Sequence, residues 1–381
     1  MVLGLSELTG YLLDRQHVHP DAVVDGGLGM VDASSRHSNV IVRADPAVGL
    51  FIKQGRSDPV QPVTGWTGPG TTAHEAAVYA LLDSLPRRHP SSGASVPVPR
   101  CLGFDADHGV LVLELFPDAS DLLTHHARTR RFPVTLGTRL GAALADLHEH
   151  ATGPARERPS EFPGYLPWAL RLDRPGTAFY RQMSNAGIGL VRIVQSSPEL
   201  RAALAQLRAG WRTDAFIHHD LKLENCVVLA AGTSGRHTRL ALVDWELGNL
   251  GDACWDTGSI FSSYLHHWLI SFPLTGSEQP GHYLDQARFP LGRMHNAMRA
   301  FWATYVRARG WDAATADAAL IRSVRYAGAR LLQTACERTK PLSRVSTVVV
   351  CLTQLAENVL TRPEEAAEHL LGLSPREGSD E

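Results

Sequence analysis

Residues 216–225 read FIHHDLKLEN, and two short apolar runs follow, CVVLA (226–230) and RLALVD (239–244). Both runs have the length and composition of strands. The segment between them, AGTSGRHT, centres on Ser234-Gly235, a favourable turn pair. The expected element is a hairpin. With Ser234 and Gly235 at its tip, Asn225 faces Asp244 at the open end, just after Asp220. An amide oxygen and two carboxylates then converge. Hard oxygen ligands of this kind suit Mg²⁺ bridging nucleotide phosphates, because Mg²⁺ takes few protein carboxylates and completes its shell with phosphate oxygens. The inference depends on register, since a slip of one residue turns every side chain to the opposite face.

Bulk composition excludes several classes. A chain of 381 residues exceeds one small core and divides into subdomains. Its formal net charge of −2 leaves no bulk attraction for nucleic acid or a membrane surface. Five cysteines, Cys101, Cys226, Cys254, Cys336 and Cys351, form no C-x-x-C pair, which argues for reduced thiols in a cytoplasmic protein rather than a disulfide scaffold or zinc site. The N-terminal stretch mixes charges into its apolar pattern and reads as an amphipathic helix, not a signal peptide. No run of about 18 apolar residues is present, so no membrane span is expected.

The chain changes character near residue 117. Before it, VIVRA (40–44), GLFIKQ (49–54) and GVLVLELF (109–116) read as strands, with one helix over 71–85. After it, Leu136, Leu140, Leu144 and Leu147 share one helical face. Ser197-Pro198 announces another helix as N-cap and first helical residue. The segment beyond residue 256 is largely helical to about 370, before a polar tail. The reading is α+β: a β-rich lobe (1–116), a catalytic core (117–256), a helical acceptor-side subdomain (257–370) and a tail (371–381).

HHDLKLEN, VDWE (243–246) and GDACWD (251–256) occur in that order. The set resembles the aminoglycoside phosphotransferase and choline kinase family, relatives of the protein kinases. His218, Asp220 and Asn225 have the H-x-D-x-x-x-x-N spacing of a kinase-type catalytic loop. The resemblance implies a bilobal kinase-like fold and ATP- and Mg²⁺-dependent transfer of a phosphoryl group to a hydroxyl, with GTP as the alternative nucleotide. Asp220 would orient and deprotonate the acceptor, and Asn225 and Asp244 would hold Mg²⁺. His218 would brace the loop, Asp256 would accept from it, and Lys222 would reach the transferred phosphate. His219 stays open between structure and function. Trp245-Glu246 replaces the Phe-Gly of protein kinases, and no A-P-E segment follows, so a regulated activation loop is not expected.

In the first lobe, Lys53 ends an apolar strand and is the natural cation for the nucleotide phosphates. Glu75 on the next helix is its expected partner, although Thr72 to Glu75 also spells a capping box. The turn between the first two strands offers Ser34, Ser35, Ser38 and Asn39 to phosphate. The linker from Glu114 to Phe116 would supply backbone hydrogen bonds to adenine.

Residues 257–340 hold ten Arg or Lys and five Asp or Glu, the wrong balance for a polycationic aminoglycoside. A neutral or acidic acceptor fits better. The stretch from Gly251 to Pro273 is similar to phosphotransferases of lanthipeptide biosynthesis, which implies a Ser or Thr of a precursor peptide as acceptor and a partner lyase. The alternatives are a small-molecule hydroxyl, a silent kinase-like scaffold, and an RNA-binding helical domain. The last lacks an aromatic platform or known module.

Overall fold

A computed structural model describes residues 2–33, 38–44, 48–55, 71–85, 98–229, 239–273 and 286–374. The first lobe is a five-stranded antiparallel sheet of β1 (Leu28–Asp32), β2 (Ser38–Ala44), β3 (Val48–Gln54), β4 (Cys101–Asp105) and β5 (Val110–Glu114), in the order β1-β2-β3-β5-β4. Both faces of this sheet are covered, which explains the unbroken apolar run in β5. Val110 and Val112 pack with Leu50 and Ile52 against Leu8 and Leu12 of the N-terminal helix Leu5–Asp14. Leu111 and Leu113 turn the other way, joining Val78, Tyr79 and Leu81 of the helix Thr72–Asp83 and the main core. The period-2 alternation of a strand thus divides one apolar segment between two cores. Lys53 alternates with Ile52 and Gln54 and so faces the helix Thr72–Asp83. Gln54, on the opposite face, accepts from the Leu3 backbone N–H at 2.8 Å.

The second lobe is mainly helical. Leu136, Leu140, Leu144 and Leu147 of the helix Val134–His150 are all buried, as their spacing predicts. That helix packs closely on Leu291–Ala308: a Cβ on Gly137 or Gly141 would fall on the carbonyl oxygen of Ala297 or Phe301. Ser197 caps Pro198–Ala209 by accepting from the Leu200 N–H, the predicted signature. The helices Ala253–Leu269 and Ala313–Thr339 lie side by side, with Gly258 against the Ser323 carbonyl. Two small sheets carry the site: β7 (Ala215–Ile217) with β10 (Asn249–Gly251), and β6 (Ser120–Asp121) with β8 (Cys226–Leu229) and β9 (Arg239–Leu242). Among the described residues, no helix is long and apolar enough to cross a membrane.

Two local expectations need correction. In the β8–β9 hairpin Cys226 pairs with Leu242, one residue out of the predicted register, so Asn225 lies opposite Val243 and not Asp244. The Val243 N–H donates to the Asn225 carbonyl at 3.0 Å accordingly. The turn pair Ser234-Gly235 lies outside the described residues. The capping box at Thr72 does not form: Thr71 is the N-cap and accepts from the His74 N–H, while Thr72 donates to the Gly109 carbonyl at 3.1 Å. Glu75 is thereby free of any capping role.

Candidate active site

β7 delivers the chain into the loop that starts at His218. Asp256, fully buried near the start of its helix, accepts from the backbone N–H of His218 at 2.7 Å and of His219 at 3.0 Å. His148 Nε2 stands 3.3 Å from the same carboxylate. Burial would raise the Asp256 carboxyl, but the hydrogen bond from His148 and the neighbouring charges and donors hold it below its ordinary value. His218 Nε2 lies 2.9 Å from the Val243 carbonyl oxygen and its ring packs on Trp245, so His218 braces the loop against the end of β9. His219 has φ +72°, a left-handed conformation that a non-glycine residue adopts at a cost and that turns the chain sharply before Asp220. Its ring is buried against Tyr165, Trp211 and Trp255, and burial pushes its pKa down to about 3. The ring is therefore neutral, and the Trp255 indole N–H donates to the His219 carbonyl at 2.8 Å.

Asp220 is held between two cations. Lys222 Nζ donates to its Oδ2 at 2.9 Å and Arg330 Nη2 to its Oδ1 at 2.8 Å. Burial works to raise this carboxyl, yet the two cations overcome it and hold it far below the usual carboxylate range. Asn225 Nδ2 donates to the Asp220 backbone carbonyl at 2.9 Å, which leaves Asn225 Oδ1 as the atom available to a cation.

Across from this loop, Lys53 Nζ contacts both carboxylate oxygens of Glu75 at 2.8 Å and Asp244 Oδ1 at 2.6 Å. Asp244 has φ +68°, so the chain leaves the strand direction right after β9, and its carboxylate reaches Lys53 despite the one-residue change of register. Lys53 stays protonated because Glu75 and Asp244 together outweigh its desolvation. Glu75 is pushed up to about 7, with full burial and the charge of Asp244 prevailing over Lys53. Asp244 itself falls below its usual value, since Lys53 outweighs burial there. Ligand oxygens of Glu75, Asp244 and Glu246 lie within 4.8 Å of one another. Carboxylate oxygens in such a cluster, with the amide oxygen of Asn225, are the donor set a hard divalent ion takes.

The remaining nucleotide-side expectations have mixed outcomes. Asn39 is the cross-strand neighbour of Lys53, and its buried Oδ1 has no hydrogen-bond partner among the described residues. Ser38 begins β2, half-buried, opposite Gln54. Ser34 and Ser35 lie outside the described residues. In the linker, the Glu114 N–H already donates to the Arg100 carbonyl and the Leu115 N–H to the Gly49 carbonyl, so these two donors are committed within the lobe. The Glu114 side chain faces Arg100, and Phe116 is half-buried beyond the strand.

Next to Asp220, a cavity of about 270 Å³ opens between the helices Ala253–Leu269 and Ala313–Thr339. Lys222 and Arg330, the two cations bonded to Asp220, line it together with Ser262, His266, Thr334 and Arg338. Sequence reasoning singled out neither Arg330 nor Glu246. Arg330 was one of ten basic residues in its segment, and its 110-residue separation from Asp220 left no local signal.

Two lobes, a clamped loop bearing an acid and a carboxylate cluster around a buried lysine define a protein-kinase-like phosphotransferase. The sequence profile of the phosphotransferase enzyme family matches residues 68–288, more than half of the chain. The protein belongs to that family. Among solved structures it is similar to the choline kinase of Cryptosporidium parvum Iowa II, with a TM-score of 0.57 at 11% identity, covering 97% of this chain and 99% of that one. It is also similar to a Plasmodium vivax ethanolamine kinase, with a TM-score of 0.53 at 11% identity over 94% and 89% of the two chains. At these identities the likeness is one of fold. No curated protein matches the sequence.

Proposed function

We propose that the protein transfers the γ-phosphoryl group of ATP to the hydroxyl of an alcohol held in the cavity beside Asp220. The observation that carries this reading is the position of Asp220, whose two cationic partners, Lys222 and Arg330, form part of the cavity wall. The acceptor oxygen attacks the γ-phosphorus, the bond to the β,γ-bridging oxygen breaks, ADP leaves, and the hydroxyl proton passes to Asp220. Positioned general bases of this kind contribute roughly 10²–10⁴-fold. Asn225 and Asp244 would hold Mg²⁺, which when bound neutralises phosphate charge. Lys53, oriented by Glu75, faces the α- and β-phosphates, with Asn39 beside it. Lys222 supplies a cation close enough to Asp220 to meet the transferred group. His218 and Asp256 position the loop and take no part in the chemistry.

A small alcohol is the favoured acceptor. The cavity volume suits one, and the two structural relatives carry the names of choline and ethanolamine kinases. A Ser or Thr of a precursor peptide, with a partner lyase, is the second reading, favoured by the similarity of residues 251–273 noted above. One experiment addresses both. The protein is incubated with Mg²⁺, ATP and either a panel of small alcohols or Ser/Thr peptides, and products are read by mass. Gain of one phosphoryl group, dependent on Asp244, is expected. ATP turnover that persists in Asp244→Ala would defeat the assignment, and absence of nucleotide binding would favour a silent scaffold.

A further inference from the structure

Arg330 is 6% exposed and its guanidinium does two things at once: it lies over the Trp255 ring, 5.6 Å from the centroid, and it donates to Asp220 Oδ1. Lys222 on one oxygen and Arg330 on the other both line the cavity, whereas Asp220 does not, so the two cations stand between the base and an incoming hydroxyl. Arg330 also belongs to a stripe. Arg330, Thr334 and Arg338 follow at i, i+4 and i+8 on the helix Ala313–Thr339 and all line the cavity. On the facing helix, Ser259, Ser262 and His266 line it at i, i+3 and i+7. Burial and the adjacent Arg338 push His266 down to about 4, so it adds no charge near neutrality. The charged lining is Lys222, Arg330 and Arg338 against Glu224 and Glu337. Glu337 accepts from Gln333 at 3.1 Å, and among the described residues the Arg338 guanidinium meets the neutral ring of His266 at 3.3 Å.

We propose that this cavity takes an alcohol bearing an anionic group, a carboxylate or a phosphate ester, and that Arg330 is the specificity-determining residue that couples recognition of that group to release of Asp220. The anionic group draws the Arg330 guanidinium from Asp220 Oδ1, as a bidentate acceptor matched to the guanidinium fork. Oδ1 then becomes the oxygen that receives the hydroxyl proton when the acceptor oxygen bonds to the γ-phosphorus and ADP departs. Arg338 holds the far end of the same group. An alcohol without the anion leaves Arg330 in place and the base covered. A cationic alcohol meets like charge. The inference rests on the reading of Asp220 as the base and adds the substrate class.

The test uses the full chain loaded with Mg²⁺ and ADP for binding, and with Mg²⁺ and ATP for turnover. Four alcohols serve as probes: glycerate, glycerol 3-phosphate, glycerol and choline. Calorimetry is expected to show one or both anionic alcohols binding at least about tenfold tighter than glycerol, the scale of one charged hydrogen bond. Which of the two binds separates carboxylate from phosphate. Arg330→Gln and Arg338→Gln are each expected to remove about tenfold of that advantage. Arg338 is exposed, so its variant is informative even if Arg330→Gln fails to fold. Anionic alcohols that bind no tighter than glycerol, or an advantage that survives in Arg338→Gln and in a folded Arg330→Gln, overturn the proposal. Turnover keeps the underlying reading separate. Choline or glycerol turned over in preference, with the rate lost in Asp220→Asn, sinks the anion proposal alone. Turnover indifferent to Asp220→Asn removes the reading beneath it.

Discussion

Replacing Asp256 with asparagine tests how the catalytic loop is held. The side chain is fully buried and touches no part of the proposed acceptor cavity, yet it accepts the His218 and His219 N–H groups at 2.7 and 3.0 Å. Hydrogen bonds to a charged group contribute about 1.5–3 kcal/mol each, so the pair stabilises the loop by about 3–6 kcal/mol. Asparagine keeps one acceptor oxygen and turns an NH₂ toward the other donor. About half of that stabilisation, roughly 1.5–3 kcal/mol, should be lost, a large part of a total stability near 5–15 kcal/mol. The left-handed turn at His219 is costly on its own and relaxes once the clamp is gone. Asp220 then moves relative to the phosphate site, so kcat should fall, whereas KM for ATP should hold, because Lys53 and Glu75 make no contact with Asp256. Urea unfolding, followed by steady-state kinetics on the same preparation, measures both. An Asp256→Asn protein with the wild-type unfolding midpoint and the wild-type kcat would refute the reasoning.

Lys53→Ala should leave Glu75 and Asp244 without their counter-charge, lowering stability by about 3–5 kcal/mol and weakening ATP binding; denaturant unfolding and nucleotide titration measure each effect. Gly141→Ala places a methyl group on the Phe301 carbonyl oxygen, and thermal unfolding should show destabilisation of at least about 1–3 kcal/mol. Glu75 has a folded-state pKa near 7 against an unfolded value near 4.3, so the folded state binds the extra proton between these limits. Stability of the metal-free protein should therefore fall as pH rises from about 4.3 through about 7, by up to about 4 kcal/mol, and Glu75→Gln should flatten that slope in thermal melts.

The parts of the site that were legible in the sequence are those whose signal is local. His218, Asp220 and Asn225 sit within eight residues, and their spacing survives folding because Asp256 and the Asn225 side chain close the loop on itself. Lys53 and Glu75 were legible because an apolar strand and a following helix fix which face each presents, and the structure brings them to 2.8 Å. Hairpin register was not. Moving the pairing by one residue changes no composition, and Asp244 reaches the site through a backbone turn at φ +68°, which leaves no mark in the side-chain pattern. The cap at Thr71 was missed because two adjacent threonines offer the same hydroxyl, and the one that caps is decided by where Thr72 finds the Gly109 carbonyl. Arg330 was invisible for a different reason: its partner lies 110 residues earlier, and only the packing of two helices makes them neighbours.

The most direct measurement is the initial rate of ADP formation, with Mg²⁺, ATP and the best acceptor from the panel, in the wild type and in Asp220→Asn. The substitution keeps size and shape and removes the base. A drop of roughly 10²–10⁴-fold in kcat, with ATP affinity retained, is the predicted result. Equal rates in the two proteins would contradict the account.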